Sequence, residues 1–341
     1  MAALAASSAS PVSGPVSPDG AWLSAPVLVT GATGLVGSWL VRELLDRGAE
    51  VVALVPDRDP RSELVRSGVI DRVDVVTAGL EDVAAVERAI STRGVGTVFH
   101  LGAQTLVEVA RRSPLLTLEA NVRGTYQLLD ICRRLPDLVE RVVVASSDKA
   151  YGARTDLPYV ETMPVSAGHN VYDVSKSCTD LIALTYAAAY DLPVAIMRCG
   201  NIFGGGDLNW SRVVPGTIRA LIAGERPLIR SDGTLQRDYL FVGDAVSAYL
   251  ALGAAAADPS VRGEAFNVST GVPRTTLEVV AAITEVMGLD VEPVIENRAV
   301  GEIPAQWLSS EKAARVLGWK PGRDLEADLS ETVEWYRALL V

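Results

Sequence analysis

Apolar residues fall into two regimes along this chain. Short, unbroken apolar runs alternate with longer stretches in which apolar positions return at helical spacing. Pro26 to Thr30 is the first such run, and it enters Gly31-Ala32-Thr33-Gly34-Leu35-Val36-Gly37 directly. From Leu35 to Arg47 the spacing is helical, and Gly48 ends it. The pattern predicts further strands at Glu50 to Val55, Val73 to Thr77, Thr97 to Leu101, Arg141 to Ser146 and Pro193 to Arg198. It predicts helices at about Asp82 to Thr92, Pro114 to Leu135 and Val171 to Tyr190. Unbroken apolar strands between helices argue for a parallel sheet covered on both faces.

Beyond Gly200 the pattern loosens into a glycine-rich loop, Gly204 to Gly206. Helices are predicted at Val213 to Ala223, Thr276 to Met287, Ser309 to Leu317 and Leu325 to Leu340. Short strands are predicted at Pro227 to Ile229, Tyr239 to Val242 and Ala265 to Val268. The expected division is a tail over 1–25, a dinucleotide-binding domain of Rossmann type over 26–200, and a smaller α/β substrate lobe over 201–341. Some chain is expected to cross back. Open parallel sheets bind ligands at their strand ends, beneath such a lobe.

Composition narrows the function. At 341 residues the chain can bury a sizeable core, and a net charge of -11 argues against a nucleic-acid partner. No apolar run is long enough to span a bilayer. Residues 1–25 are rich in Ala, Ser, Pro, Val and Gly, with no basic or sustained apolar segment, so a disordered tail and no signal peptide are expected. Cys132, Cys178 and Cys199 lack metal-type spacing and read as reduced thiols of a cytoplasmic protein. His100 and His169 are too few for a histidine metal site, and no metal is expected.

Glycines at 31, 34 and 37 follow a strand and open a helix, so backbone can approach a pyrophosphate at the helix N-terminus. Thr33, Leu35 and Val36 belong to the same cofactor loop. At the end of the second strand, Asp57 suits the ribose hydroxyls of NAD. Arg58 or Arg61 suits the 2′-phosphate of NADP. The reading leans to NAD.

Tyr172 and Lys176 lie one helical turn apart on one face. The ammonium is expected to lower the phenol's pKa, so that the phenolate takes a hydroxyl proton near neutral pH, and also to hold the nicotinamide ribose. Ser147, at a strand end, would bind the same hydroxyl. Asp148 and Lys149 sit beside it, where an acid and a base are useful only if the reaction goes further than hydride transfer. Lys149 as a base requires a neutral amine, which burial or a neighbouring cation would favour.

The G-x-x-G-x-x-G spacing resembles the extended branch of the short-chain dehydrogenase/reductase superfamily. His100 to Gln104, Asn121 to Thr125, Ser147 to Lys149, Tyr172 to Lys176 and Arg198 to Asp207 together resemble nucleotide-sugar 4,6-dehydratases. The triplet Ser147-Asp148-Lys149 is similar to that of CDP-glucose 4,6-dehydratases, with GDP-mannose 4,6-dehydratases more distant. The branch's epimerases resemble Ser-Ala-Thr there, with no charge. Arg237 to Asp244 follows the general pattern of the branch rather than that of the CDP-glucose group. The resemblance implies a tightly held nicotinamide cofactor contacted also by Leu80, Leu101 and Ala103. Gly79-Leu80 stands where the branch usually has Asp-Leu against the adenine.

For the nucleotide-sugar substrate the resemblance implies contacts from Asn201 and Arg237. Arg212 is a second candidate or a surface residue. Gln104 lines the sugar pocket or is a buried amide satisfied by backbone. The implied partner is a second copy, with Leu128, Ile131, Leu181, Leu184 and Ala188 offering an apolar helix face. The implied reaction oxidises C4, expels water across C5 and C6, and returns hydride to C6. A 4-epimerase and a non-catalytic scaffold are the alternatives.

Overall fold

The computed structural model describes residues 20–166, 168, 170–298, 301–322 and 324–341. The expectations for 1–19 and His169 lie outside the described residues. The strands of the main sheet are β1 (Val27–Thr30), β2 (Val51–Leu54), β3 (Asp74–Val76), β4 (Thr97–His100), β5 (Arg141–Ser147), β6 (Val194–Cys199) and β7 (Ala265–Val268). The helices that matter here are α1 (Leu35–Asp46), α2 (Val83–Arg93), α3 (Gly124–Arg134), α4 (Val171–Tyr190), α5 (Val213–Ile222), α6 (Val242–Ala255), α7 (Thr276–Val286) and α8 (Leu325–Leu340).

The sheet order is β7-β6-β5-β4-β1-β2-β3, and every pairing is parallel. Successive strand residues serve opposite faces, so both faces need apolar cover. Val27 and Val29 pack with Leu40, Leu44, Ala245 and Tyr249, beneath α1 and α6. Leu28 packs with Val86, Leu128 and Ala183, beneath α2, α3 and α4. This is the doubly wound Rossmann architecture. Its strand order reverses between β1 and β4, and the crevice opens there.

A third core, built on Phe203, Ile218, Tyr239, Ile283 and Tyr336, joins α5, α7 and α8 into the smaller lobe. Two indoles tie the lobe to the sheet layer. Trp39 Nε1 donates to the Gly205 carbonyl at 2.7 Å, and Trp335 Nε1 to Glu63 Oε2 at 2.8 Å.

The structure corrects four readings. Within the segment expected as a tail, Gly20–Leu23 instead form a 3₁₀ turn and Trp22 packs edge-on against Phe99 at 6.2 Å. The expected single helix over 114–135 is interrupted by a π turn at Glu119–Arg123. There the Asn121 carbonyl accepts from the hydroxyls of Thr125 at 2.5 Å and Thr179 at 3.2 Å. Helix α6 was not expected. Its residues are apolar or small at nearly every position, so the sequence shows no polar stripe, although Gly243, Ser247, Ala251 and Ala254 form its less buried side. Leu128 and Ile131, expected on an exposed helix face, lie in the core against β5 and β6. No helix among the described residues is long and apolar enough to cross a membrane.

Candidate active site

The cofactor loop takes its shape from contacts that exclude side chains. Gly31 has φ +68°, and a Cβ on Gly37 would lie 2.1 Å from the Gly31 carbonyl oxygen. Gly34 caps α1 without any side-chain hydrogen bond and is exposed, so the first-turn N–H groups of α1 face the crevice. A helix N-terminus with no carboxylate cap, at the point where β1 and β4 diverge, fits a pyrophosphate. Thr33, Leu35 and Val36 are half-buried around it, as are Leu101 and Ala103 at the end of β4.

Leu80 reaches across to Gly102 and Gly124, where Cβ atoms would meet its Cδ1 at 3.3 and 2.9 Å. Asp57 and Arg58 are exposed beyond β2. Arg61 is engaged by Asp59 at 2.8 Å.

Beside the crevice, His100 is buried between two hydroxyls. Thr30 Oγ1 lies 2.9 Å from Nδ1, and Thr125 Oγ1 lies 3.0 Å from Nε2. The Thr125 proton goes to the Asn121 carbonyl. Thr125 therefore accepts from Nε2–H, and Nδ1 accepts from Thr30. Burial, then the charge of Lys176, pushes the imidazole pKa down to about 3.

Ser147 ends β5 and opens a 3₁₀ turn over Asp148–Tyr151, its hydroxyl oxygen accepting from Lys149 N at 3.2 Å. The turn is braced from below. Tyr151 is fully buried, donates to Asn267 Oδ1 at 2.7 Å and accepts from Arg198 Nη1 at 2.7 Å. Arg198 in turn grips Asp180 of α4, with Nη2 2.7 Å from Oδ1 and Nε 3.2 Å from both oxygens. A buried ion pair fully met by hydrogen bonds holds a geometry well even where its net stabilisation is small.

Helix α4 is capped by Asn170, whose oxygen accepts from Asp173 N at 3.0 Å, and this sets Tyr172 facing Ser147. Burial, then the charge of Asp148, pushes the Tyr172 phenol up to about 12, against its hydrogen bond with Ser147 and the charge of Arg212. Lys176 is nearly buried and donates to the Ala145 carbonyl at 2.9 Å. Burial lowers its pKa to about 8, against the pull of Asp180 one turn further along α4. The expectation that Lys176 lowers the phenol is therefore not met in this geometry. The lysine is turned to the strand, and Ser147 and Arg212 are the groups that favour the phenolate.

Asp148 is buried, and its Oδ1 accepts from Ser147 Oγ at 2.9 Å. Its Oδ2 has no hydrogen-bond partner among the described residues. Lys149 Nζ lies 3.6 Å from that oxygen. An acid–base pair, its buried Asp148 Oδ2 met by the Lys149 charge and by no hydrogen bond among the described residues, thus sits beside the Ser–Tyr pair.

The substrate-side residues are arranged around it. Arg212 pairs with Asp207 at 2.9 Å and acts on Tyr172. Arg237, with its side chain 11% exposed, donates to the Gln236 carbonyl at 2.8 Å and lies 3.6 Å from Glu302. Asn201 is half-buried at the start of the strand Asn201–Phe203. Gln104 spends its side-chain oxygen on Leu106 N at 2.8 Å and its backbone on the Asn121 amide, so it serves the local turn.

Two neighbours of the site were not expected. Asp238, buried, accepts from Leu308 N at 3.3 Å and from the Ser269 hydroxyl, and burial raises its carboxyl to about 6. It stands inside the Arg237–Asp244 pattern, which was the available signal. Gln306 reaches Lys149 and Asp148 from a distant segment, with no signal in its surroundings.

A Rossmann crevice with a glycine turn, a strand-end serine and a Tyr-x-x-x-Lys helix defines a dinucleotide-dependent enzyme of the short-chain dehydrogenase/reductase type. The chain belongs to the NAD dependent epimerase/dehydratase family, whose model matches residues 27–269. It is 32% identical over 313 residues to a UDP-glucose 4-epimerase of Mycolicibacterium smegmatis, covering 91% of this chain and 98% of that one. It is 27% identical over 334 residues to a CDP-glucose 4,6-dehydratase of Salmonella typhimurium, covering 93% and 92%. Among solved structures, DesIV, a dTDP-glucose 4,6-dehydratase from Streptomyces venezuelae with NAD bound, superposes with a TM-score of 0.81. It shares 27% identity, over 92% of this chain and 97% of that one. Epimerases and dehydratases thus match at similar identity.

Proposed function

We propose that this chain is a nucleotide-sugar 4,6-dehydratase. It converts an NDP-hexose of the CDP-glucose kind to the NDP-4-keto-6-deoxy sugar. The observation that carries the reading is the Asp148–Lys149 pair, at 3.6 Å, beside Ser147 and Tyr172. Hydride transfer at C4 uses only Ser147, Tyr172 and Lys176. The pair has work to do only if water is lost.

The residues of the glycine loop, with Lys176, hold a nicotinamide dinucleotide, and Asp57 favours NAD. When bound, that group supplies a tightly retained acceptor for the C4 hydride and the donor of hydride to C6. Tyr172 takes the C4 hydroxyl proton as its phenolate, the form that Arg212 and the bond with Ser147 favour against burial. The resulting ketone acidifies C5–H. Moving one proton within the Lys149–Asp148 pair turns an ion pair into a neutral amine and a carboxylic acid. The amine takes the C5 proton, and the acid protonates the departing C6 hydroxyl. Lys149 then returns a proton to C5 as C6 is reduced. The product differs from substrate by one water, with no net oxidation.

Arg237 and Asn201 serve the diphosphate and sugar, with Arg212 near the phenol. The dinucleotide-binding part, 26–200, and the lobe beyond it divide these tasks. Cys132, Cys178 and Cys199 are all free, which suits a cytoplasmic enzyme. The partner is a second copy, docked through the outer face of α4 and the helical segment 107–134.

A second reading, 4-epimerisation, is favoured by the match to the M. smegmatis epimerase. Incubation with CDP-glucose, dTDP-glucose, UDP-glucose and GDP-mannose, with product mass measured directly, separates the two. A product lighter by one water supports the dehydratase, and an unchanged mass supports the epimerase.

A further inference from the structure

We infer that Gln306 is a positioning residue for the acid–base pair: it aims the Lys149 amine at the sugar without adding charge to it. The inference rests on the dehydratase reading and deepens it.

Gln306 is fully buried, and its side-chain oxygen accepts from Lys149 Nζ. Its amide nitrogen donates to the Asp148 backbone carbonyl at 3.2 Å. The second bond fixes which end of the amide meets the lysine, because a flipped amide would set oxygen against carbonyl and NH₂ against ammonium. Lys149 is a long, flexible side chain that is 22% exposed, and holding it in one rotamer needs an acceptor at its tip.

The backbone that delivers Gln306 is clamped on both sides. The strand Ala305–Gln306 runs parallel to Gln236–Arg237, with Gln306 opposite Arg237. Gln236 N donates to Pro304 O at 2.9 Å, and Tyr159 N to Trp307 O at 2.9 Å. Leu308 N reaches Asp238 at 3.3 Å. The lobe thus hands one amide into the turn that follows β5, across 157 residues of sequence.

The residue type matters. Lys149 already faces one carboxylate, Asp148 Oδ2. A second would stabilise the ammonium and oppose release of its proton. A neutral oxygen orients the nitrogen while leaving the amine form within reach. A reaction without elimination has no use for an aimed lysine here.

The test uses the full-length protein and whichever of CDP-, dTDP- or UDP-glucose turns over. Single-turnover absorbance of the bound nicotinamide separates C4 oxidation from elimination. Gln306→Met keeps volume and loses both hydrogen bonds. It is expected to oxidise C4 at the parent rate and then stall as reduced nicotinamide, with elimination slowed about a hundredfold. Gln306→Glu keeps an acceptor but adds charge. Its elimination rate is expected to recover as pH rises, so its pH profile lies about one unit or more above the parent's. The other titratable and charged groups around the pair are Tyr159, Tyr172, Cys199, Arg212, Arg237 and Asp238. They are the same in both proteins and do not move the comparison.

Elimination at the parent rate in Gln306→Met, with water still lost, overturns the role of Gln306 and leaves the dehydratase standing. A parent product of unchanged mass overturns both. Loss of C4 oxidation together with elimination in both variants makes Gln306 a part of the scaffold and overturns the inference.

Discussion

His100 shows how burial decides the state of a single residue. It is held between Thr30 and Thr125 with its pKa near 3, against an ordinary value of 6.5. Between those values the unfolded chain takes up a proton that the folded one does not. Stability is therefore full above about pH 6.5 and falls as pH drops toward 3. NMR should show that the His100 imidazole does not titrate between about pH 8 and 5 while the protein stays folded, and denaturant midpoints should hold down to about pH 6.5 and fall below it. A His100 titration near pH 6.5 in the folded protein would contradict the hydrogen-bond chain. In the sequence this histidine is one letter in a familiar segment. Nothing adjacent reveals that its partners are 70 and 25 residues away. Ser147, Asp148, Lys149, Tyr172 and Lys176 were legible because chemistry dictates their types and short spacings. Gln306 was not, because its role comes from a contact between lobes.

Helices and strands were legible in proportion to their periodicity. Helix α4 is found end to end, since its buried and exposed positions alternate at helical spacing and it carries Tyr172, Lys176 and Asp180 on one side. Helix α6 was missed because its residues are apolar or small nearly all round, so its one exposed position, Ser247, leaves no polar stripe in the sequence. The two-residue strands at 236–237 and 305–306 are too short to have a period. The brace between α4 and β6 is the element-level feature with the sharpest consequence. Asp180→Asn would leave Arg198 buried without its charge partner, at a cost of about 3–5 kcal/mol. A large fall in the denaturant midpoint is expected, with the Ser147–Tyr151 turn loosened. A midpoint within error of the parent would show that the pair carries little of the brace.

At the scale of the whole molecule, a parallel sheet covered on both faces followed from its unbroken apolar strands, whereas the strand order and the lobe's packing depended on contacts that no local pattern records. One large surface feature remains. Leu115, Leu116, Tyr126, Leu181 and Tyr190 are exposed on the helices over 114–134 and on α4, Leu115 by 70%. This is the face proposed for a second copy, and Leu181 is the one leucine of that expectation that is exposed. Light scattering at micromolar concentration should give a dimer mass, and Leu115→Asp with Leu181→Asp should give a monomer; a monomeric parent would contradict the assignment. In the proposed reaction, Asp148 and Lys149 expel water after Tyr172 has opened it. It is tested most directly by single-turnover absorbance of the bound nicotinamide in Asp148→Asn, Lys149→Met and Tyr172→Phe. The account predicts that reduced nicotinamide accumulates in the first two, with product formation slowed about a hundredfold to ten-thousandfold, and does not appear in the third. Turnover at the parent rate in both the Asp148 and Lys149 variants would contradict it.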